Sequence, residues 1–139
     1  MVFEVISFGS VSHCFKFLKG PEVKETCQKF QLNHQILSSW LHSISYVRNL
    51  CAHHSRLWNH QMTIKPMVPS DRRAQFNNSQ NERIYAALLT MQILLKKIWS
   101  NNNWAEALRS LVAAHPKLPL GEMGFPDDWK ARKEWGFRR

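Results

Sequence analysis

The sequence lacks three features that would each place it in a particular class of protein. It has no hydrophobic run near the roughly 20 residues that span a bilayer, no basic segment and cleavage site of a secretory signal, and no CxxC pair among its three cysteines. An odd number of scattered cysteines argues against a disulfide framework and predicts a reducing compartment, with each cysteine as a small buried hydrophobe. We therefore expect a cytoplasmic protein that does not enter a membrane.

Acidic side chains are also scarce. The chain has 10 Asp and Glu against 19 Lys and Arg, a formal net charge of +9 and a pI near 9.9. This excess predicts an anionic partner, for which nucleic acid is the commonest choice and an acidic membrane surface or an acidic protein are the alternatives. With 139 residues, of which 44% are hydrophobic, the chain is expected to form one domain over residues 1–139 around a single core.

Apolar periodicity predicts an all-α fold without strand pairs or repeats. The first half is expected to form a helix through Val11, Phe15 and Leu18, a short helix after Gly20-Pro21, and a long helix from Asn33 to Trp58. A loop over Met62–Pro69 and an exposed connection over Asp71–Asn81 should follow. The second half should form a helix that starts at the capping box Ser79–Glu82 and carries the stripe Ile84–Ile98, a helix from Asn103 to Pro116, and a last turn at Asp127 with Trp129.

The run from Arg48 to Asn59 is the place where chemistry is expected. On an ideal helix Asn49 and His53 share a face, Arg48 lies about 100° to one side, and Cys51 belongs to the apolar stripe that faces the core. A histidine titrates near neutral pH and an arginine grips phosphate with two parallel hydrogen bonds. Together they suit phosphodiester cleavage without a metal or other cofactor.

Two other interpretations of the same run remain open. An arginine followed five positions later by a histidine is a weak motif, because such pairs arise by chance. Cys51, His53, His54 and His60 include ligand types, but no second cluster completes a zinc pattern, so we predict no metal site. A helical module that binds RNA or an antitoxin without cutting would also account for the basic charge.

Three stretches of the chain resemble the Abi-like (abortive infection) family of the AbiD and AbiF types. They are Glu4–Ser10, Trp40-Leu41 with the run Arg48–Asn59, and Met123–Pro126 with Trp129. The family is similar to the HEPN superfamily, whose signature is Arg, usually Asn, and His after four to six residues. The resemblance covers nearly the whole chain and implies the C-terminal part of a longer, here truncated protein, in agreement with the abrupt apolar start at Met1–Ile6.

The resemblance implies a HEPN-like helical bundle that pairs as a homodimer, with both motifs in one cleft, and acts as a metal-independent endoribonuclease of the phage-defence or toxin kind. Attack by the RNA 2′-hydroxyl would leave 2′,3′-cyclic phosphate ends, and an RNA or protein antitoxin is a further expected partner. The residues that it implicates are Arg48 and His53 as catalytic, Asn49 as support, His54 as the alternative histidine, Arg56 as a phosphate contact or salt-bridge residue, and Glu4 in helix packing. Trp58 is expected in the core rather than as a base-stacking platform, because indoles usually bury most of their area.

Overall fold

The computed structural model describes residues 7–77 and 81–136, and within these ranges the chain is helical and has no strand. The predicted all-α fold, a small helical bundle, is confirmed. No helix in the described ranges is both long and apolar enough to cross a membrane. The five helices are α1 (Phe8–Phe17), α2 (Pro21–Phe30), α3 (His34–Ala52), α4 (Ile84–Ile98) and α5 (Trp104–Ala114), with short 3-10 turns at Ser70–Arg72 and Trp129–Ala131.

Helices α1 and α3 pack against each other in antiparallel directions. Near the end of α1, the Phe15 carbonyl accepts a hydrogen bond of 2.8 Å from Nε2 of His34, at the start of α3. Near the start of α1, a Cβ on Gly9 would lie only 3.2 Å from Oγ of Ser45. The two helices therefore approach closely along their length.

Several serines of α3 are buried, although serine side chains are mostly exposed in folded proteins. Ser38, Ser43 and Ser45 are 8%, 1% and 5% exposed. Ser43 lies against the loop after α3, with its Oγ 3.5 Å from the Ile64 carbonyl. Ser38 and Ser45 lie on the face of α3 toward α1, where small side chains let the neighbouring backbone come close. This face carries the cavity discussed below.

Helix α4 lies at the centre of the fold. Its first half, from Ile84 to Thr90, is buried on nearly every side, as expected for a helix that is apolar all round. The segment after α5 returns to cover it, and the Trp135 indole donates a hydrogen bond of 3.3 Å to the Tyr85 hydroxyl. The aromatic cluster formed in this way contains Tyr85, Phe125, Trp129 and Trp135.

Several sequence predictions about element ends need correction. Arg83 is the N-cap of α4 and has no capping side-chain bond, so the predicted capping box does not start this helix. Its Ser79 and Gln80 lie outside the described residues, as does Met1–Ile6 with Glu4. The connection after the 3-10 turn was expected to be exposed, but Phe76 within it is fully buried because it packs on Trp40.

The three cysteines are free, but only one of them is partly buried. Cys14 and Cys51 are exposed, so the prediction of small buried hydrophobes is wrong for both. Cys27 is half-buried, and desolvation raises the pKa of its thiol. The exposure of Cys51 also shows that the last turn of α3 does not continue the core-facing stripe.

Candidate active site at the end of α3

Helix α3 ends within the run that was expected to carry the chemistry, six residues before the predicted end at Trp58. The Ser55 N–H donates to the Leu50 carbonyl (2.9 Å) and the His54 N–H to the Cys51 carbonyl (3.0 Å). These two bonds form a Schellman motif, with His54 in the left-handed conformation at φ 53°. Glycine usually fills this position, and its absence is why the sequence did not indicate the stop.

Asn49 connects the arginine and the histidine of the motif. Its side-chain Oδ1 accepts a hydrogen bond of 3.1 Å from Nη1 of Arg48, and its backbone carbonyl accepts one of 3.0 Å from the His53 N–H. Arg48, Asn49 and His53 are all exposed. The guanidinium is therefore held at the helix end with part of its donor fork directed to solvent.

The two histidines are both exposed and leave the backbone in different directions. His53 is the C-cap of α3, with φ −93° and ψ 12°, whereas His54 has already entered the left-handed region. Neither imidazole hydrogen-bonds to a residue within 7–77 or 81–136. Each ring can therefore accept or give a proton without first breaking a bond to these residues.

Arg56 and Trp58 form a stacked pair beyond the turn. The Arg56 guanidinium carbon lies 5.1 Å from the centre of the Trp58 ring, within the range of a cation–π contact. Trp58 is 42% exposed, so its predicted place in the core is wrong. The chain has already left α3 at this point, and the indole lies on the surface with the Arg56 guanidinium over its ring.

The chain after the motif is fastened to the start of α4. Nη1 of Arg83 donates to Oδ1 of Asn59 (3.0 Å), and the Met62 N–H donates to the Glu82 carbonyl (2.8 Å). The Glu82 carboxylate accepts hydrogen bonds from Gln61 and Lys65, and these contacts lower its pKa. The exposed motif is thus bordered by an anchored loop.

The charge around the motif is uniformly positive or neutral along the sequence. No Asp or Glu occurs between Glu25 and Asp71, a stretch that includes all of α3 and the loop after it. No three His, Cys, Asp or Glu side chains come together as a metal-binding group in the described part of the chain. Of the residues with ligand types named from the sequence, His60 lies 3.4 Å from the Tyr46 hydroxyl.

The N-terminal part of the chain, which contains the motif, matches a known protein family. Residues 1–59 match the family of Abi-like proteins. The matched range covers less than half of the chain, but it includes α1, α2, α3 and the whole run Arg48–Asn59. No curated protein and no solved structure matches the chain. The resemblance is confirmed over this Abi-like region, while its extension to Met123–Trp129 and to the HEPN superfamily remains a prediction.

Proposed function

We propose that this chain is a metal-independent endoribonuclease of the phage-defence or toxin type, acting in the cytoplasm as a single HEPN-like domain. The observation that carries the proposal is the exposed end of α3 in the Abi-like region, where the Asn49 side chain accepts a hydrogen bond from the Arg48 guanidinium and His53 follows one helical turn after Asn49. In the proposed reaction the imidazole supplies proton transfer and the guanidinium stabilises charge at the phosphodiester.

The reaction is an internal transfer of phosphate. The RNA 2′-oxygen forms a bond to phosphorus while the bond from phosphorus to the 5′-oxygen breaks. One imidazole takes the proton of the 2′-hydroxyl, and an imidazolium gives a proton to the departing 5′-oxygen. Arg48 stabilises the negative charge that develops on the phosphoryl oxygens. The products carry 2′,3′-cyclic phosphate and 5′-hydroxyl ends, and DNA is left intact because it has no 2′-hydroxyl.

A homodimer would supply the second imidazole. The reaction uses one base and one acid, and His53 of a second copy meets that need if the two α3 ends face each other. The exposed Cys51 and Ala52 in the last turn of α3 offer a small surface for such a contact. We expect the molar mass from light scattering after gel filtration to be that of a dimer, and cleavage per molecule to fall on dilution below its dissociation constant.

Arg56 and Trp58 are suited to bind the RNA next to the cleaved bond. The exposed indole offers a stacking surface for a base, and the guanidinium above it offers a phosphate contact. Stacking of one base on an aromatic side chain contributes about 1–3 kcal/mol. We therefore expect Trp58→Ala to raise KM for RNA about 5- to 100-fold and to leave kcat close to that of the parent.

The decisive experiment is cleavage of mixed cellular RNA in excess EDTA, with the product ends mapped. We expect His53→Ala to lose about 10²- to 10⁴-fold in rate and Arg48→Ala about 10²- to 10³-fold. His115→Ala, which removes another exposed histidine at the end of α5, is the matched control and should cut like the parent. Full activity in both motif variants would refute the proposal.

One observation favours a second candidate, a module that binds RNA or an antitoxin without cutting it. Within the described residues, no hydrogen bond fixes the orientation or tautomer of either motif histidine, whereas general bases are commonly oriented by such a partner. Binding of RNA that persists in Arg48→Ala/His53→Ala, together with no cleavage by the parent protein, would select this candidate.

A further inference from the structure

A cavity of about 560 Å³ lies between α1 and the first part of α3. Pockets that bind small ligands or parts of larger ones usually measure about 300–1,000 Å³. None of the residues from Arg48 to Asn59 lines this cavity. Its wall includes Ser12, His13 and Lys16 from α1 and His34, Ser38 and His42 from α3.

The chemistry of the wall suits an oxygen-rich anion. Lys16 brings a positive charge, His13 and His42 bring imidazoles, and the serines bring hydroxyl donors. No carboxylate occurs among the lining residues within 7–77 and 81–136. Along the sequence, the nearest acidic residues are Glu4, which lies outside the described residues, and Glu22, which belongs to α2 rather than to the two helices that form the wall.

Ser38 shows that the cavity is more than a gap between helices. The residue is 8% exposed, and its Oγ is buried with no hydrogen-bond partner among the described residues. Its neighbour Ser39 is satisfied, since its Oγ accepts from the Met67 N–H at 2.9 Å and lies 3.4 Å from the Lys65 carbonyl. A buried hydroxyl without a partner is destabilising, and a ligand oxygen in the cavity would supply the missing bond.

The cavity lies on the same face of α3 as the motif. Ser45 lines the cavity, and Asn49 follows one turn later, about 6 Å further along the helix and about 40° around it. We propose that the cavity binds a phosphate group of the same RNA strand that is cut at Arg48 and His53. The choice of RNA as the ligand rests on the proposed function, because the phosphate of a free nucleotide has the same chemistry.

The first test measures binding without cleavage, so that it does not depend on catalysis. A fluorescent 2′-O-methyl oligoribonucleotide, which has no free 2′-hydroxyl, is titrated with the full chain and followed by anisotropy. We expect Lys16→Gln/His42→Gln to weaken binding about ten-fold and to lower the slope of log affinity against log salt by about 1. The matched control is His115→Gln/Lys117→Gln, which removes the same two residue types from the exposed segment after α5.

The second test uses Ser38→Ala, for which the proposal expects opposite effects on stability and on binding. Removing an unpaired buried hydroxyl should raise the melting temperature of the free protein, while the loss of a ligand contact should weaken oligonucleotide binding several-fold. A hydroxyl with a purely structural role would lower the melting temperature and leave binding unchanged. Circular dichroism of each variant checks that the helices are intact.

Three results would overturn the inference. Equal weakening by the control pair would show that only overall charge matters. If Lys16→Gln/His42→Gln leaves oligonucleotide binding unchanged, while AMP and inorganic phosphate shift the His42 imidazole resonances of the parent protein in NMR spectra, the cavity is a site for free phosphate esters. No binding of either probe would leave it without a phosphate ligand. Cavity-dependent binding without any RNA cleavage would instead refute the proposed nuclease and keep the RNA site.

Discussion

The end of α3 and the start of α4 are successive helix ends along the chain, and their side chains differ in exposure. From Arg48 to Arg56 all residues except Leu50 are exposed, and the last backbone groups are satisfied by a local Schellman turn. At the start of α4, Ile84 to Ala87 are buried, and the Tyr85 N–H instead reaches the Met123 carbonyl, 3.1 Å away. Side chains at the first end are available to a ligand, whereas those at the second hold the fold together.

The largest effect expected from this difference is the loss of stability in Trp135→Ala. Trp135 is fully buried, packs edge-on against Trp129 and donates to the Tyr85 hydroxyl. Truncation of a buried tryptophan costs about 3–5 kcal/mol of stability, and Trp135→Phe should cost less because it keeps an aromatic ring in place. His53→Ala, at the exposed end, should change the free energy of unfolding by less than about 0.5 kcal/mol. Urea unfolding followed by circular dichroism measures all three, and similar losses for Trp135→Ala and His53→Ala would remove the contrast.

A smaller loss is expected in Gly124→Ala, beside the start of α4. Gly124 has φ 84°, and a Cβ at this position would lie 2.7 Å from the Cβ of Arg83. The strained backbone and the clash should together lower stability by about 1–3 kcal/mol. Gly121→Ala is the matched control, because a Cβ there meets nothing within 4 Å. A Gly124→Ala protein as stable as the control would show that the two segments can move apart at little cost.

The helices themselves could be predicted from the sequence because each carries a local signal. Val11 and Phe15 recur at helical spacing in α1, Pro21 occupies the first turn of α2, and Pro116 follows the end of α5. Ser7 caps α1 and Asn33 caps α3 through their side chains. Such signals depend on neighbours within about one turn. The all-α prediction rested on the apolar spacing and the prolines, and the two side-chain caps were not part of it.

The parts that could not be predicted depend on contacts distant in sequence or on unusual backbone conformations. The end of α3 depends on a histidine in the left-handed region, which no rule of composition requires. The burial of Ser38 and Ser45 depends on the approach of α1, and that of Phe76 depends on Trp40. The motif residues were found from their sequence, but the cavity beside them required the packed helices.

A gain in stability is expected where the exposed end itself carries strain. His54 holds φ 53° at a position that favours glycine, so His54→Gly should raise the free energy of unfolding by about 0.5–1 kcal/mol. His115→Gly is the control, because His115 has φ −126° and gains nothing from glycine. Thermal unfolding measures both variants.

The same His54→Gly variant sharpens the assignment of the catalytic histidine. If His53 is the catalytic residue, the more stable His54→Gly protein should still cleave RNA within a few-fold of the parent rate. If cleavage is instead lost in His54→Gly and retained in His53→Ala, His54 is the catalytic histidine and its left-handed backbone is retained for that function. The two variants therefore separate the alternatives that the sequence spacing left open.

The smallest effect concerns the loop contact that joins the two helix ends. Hydrogen bonds from Gln61 and Lys65, together with the Lys65 charge, lower the pKa of Glu82 below its ordinary value of 4.5. A carboxyl group whose pKa is lowered by folding stabilises the fold fully above its unfolded pKa, and this contribution is lost as the pH falls through the lowered folded value. Between about pH 5 and pH 3, Glu82→Gln should therefore lose slightly less stability than the parent protein in urea titrations. Because the contact is exposed, salt should reduce the difference, and a difference that persists in high salt would mean that the loop is anchored by more than this ion pair.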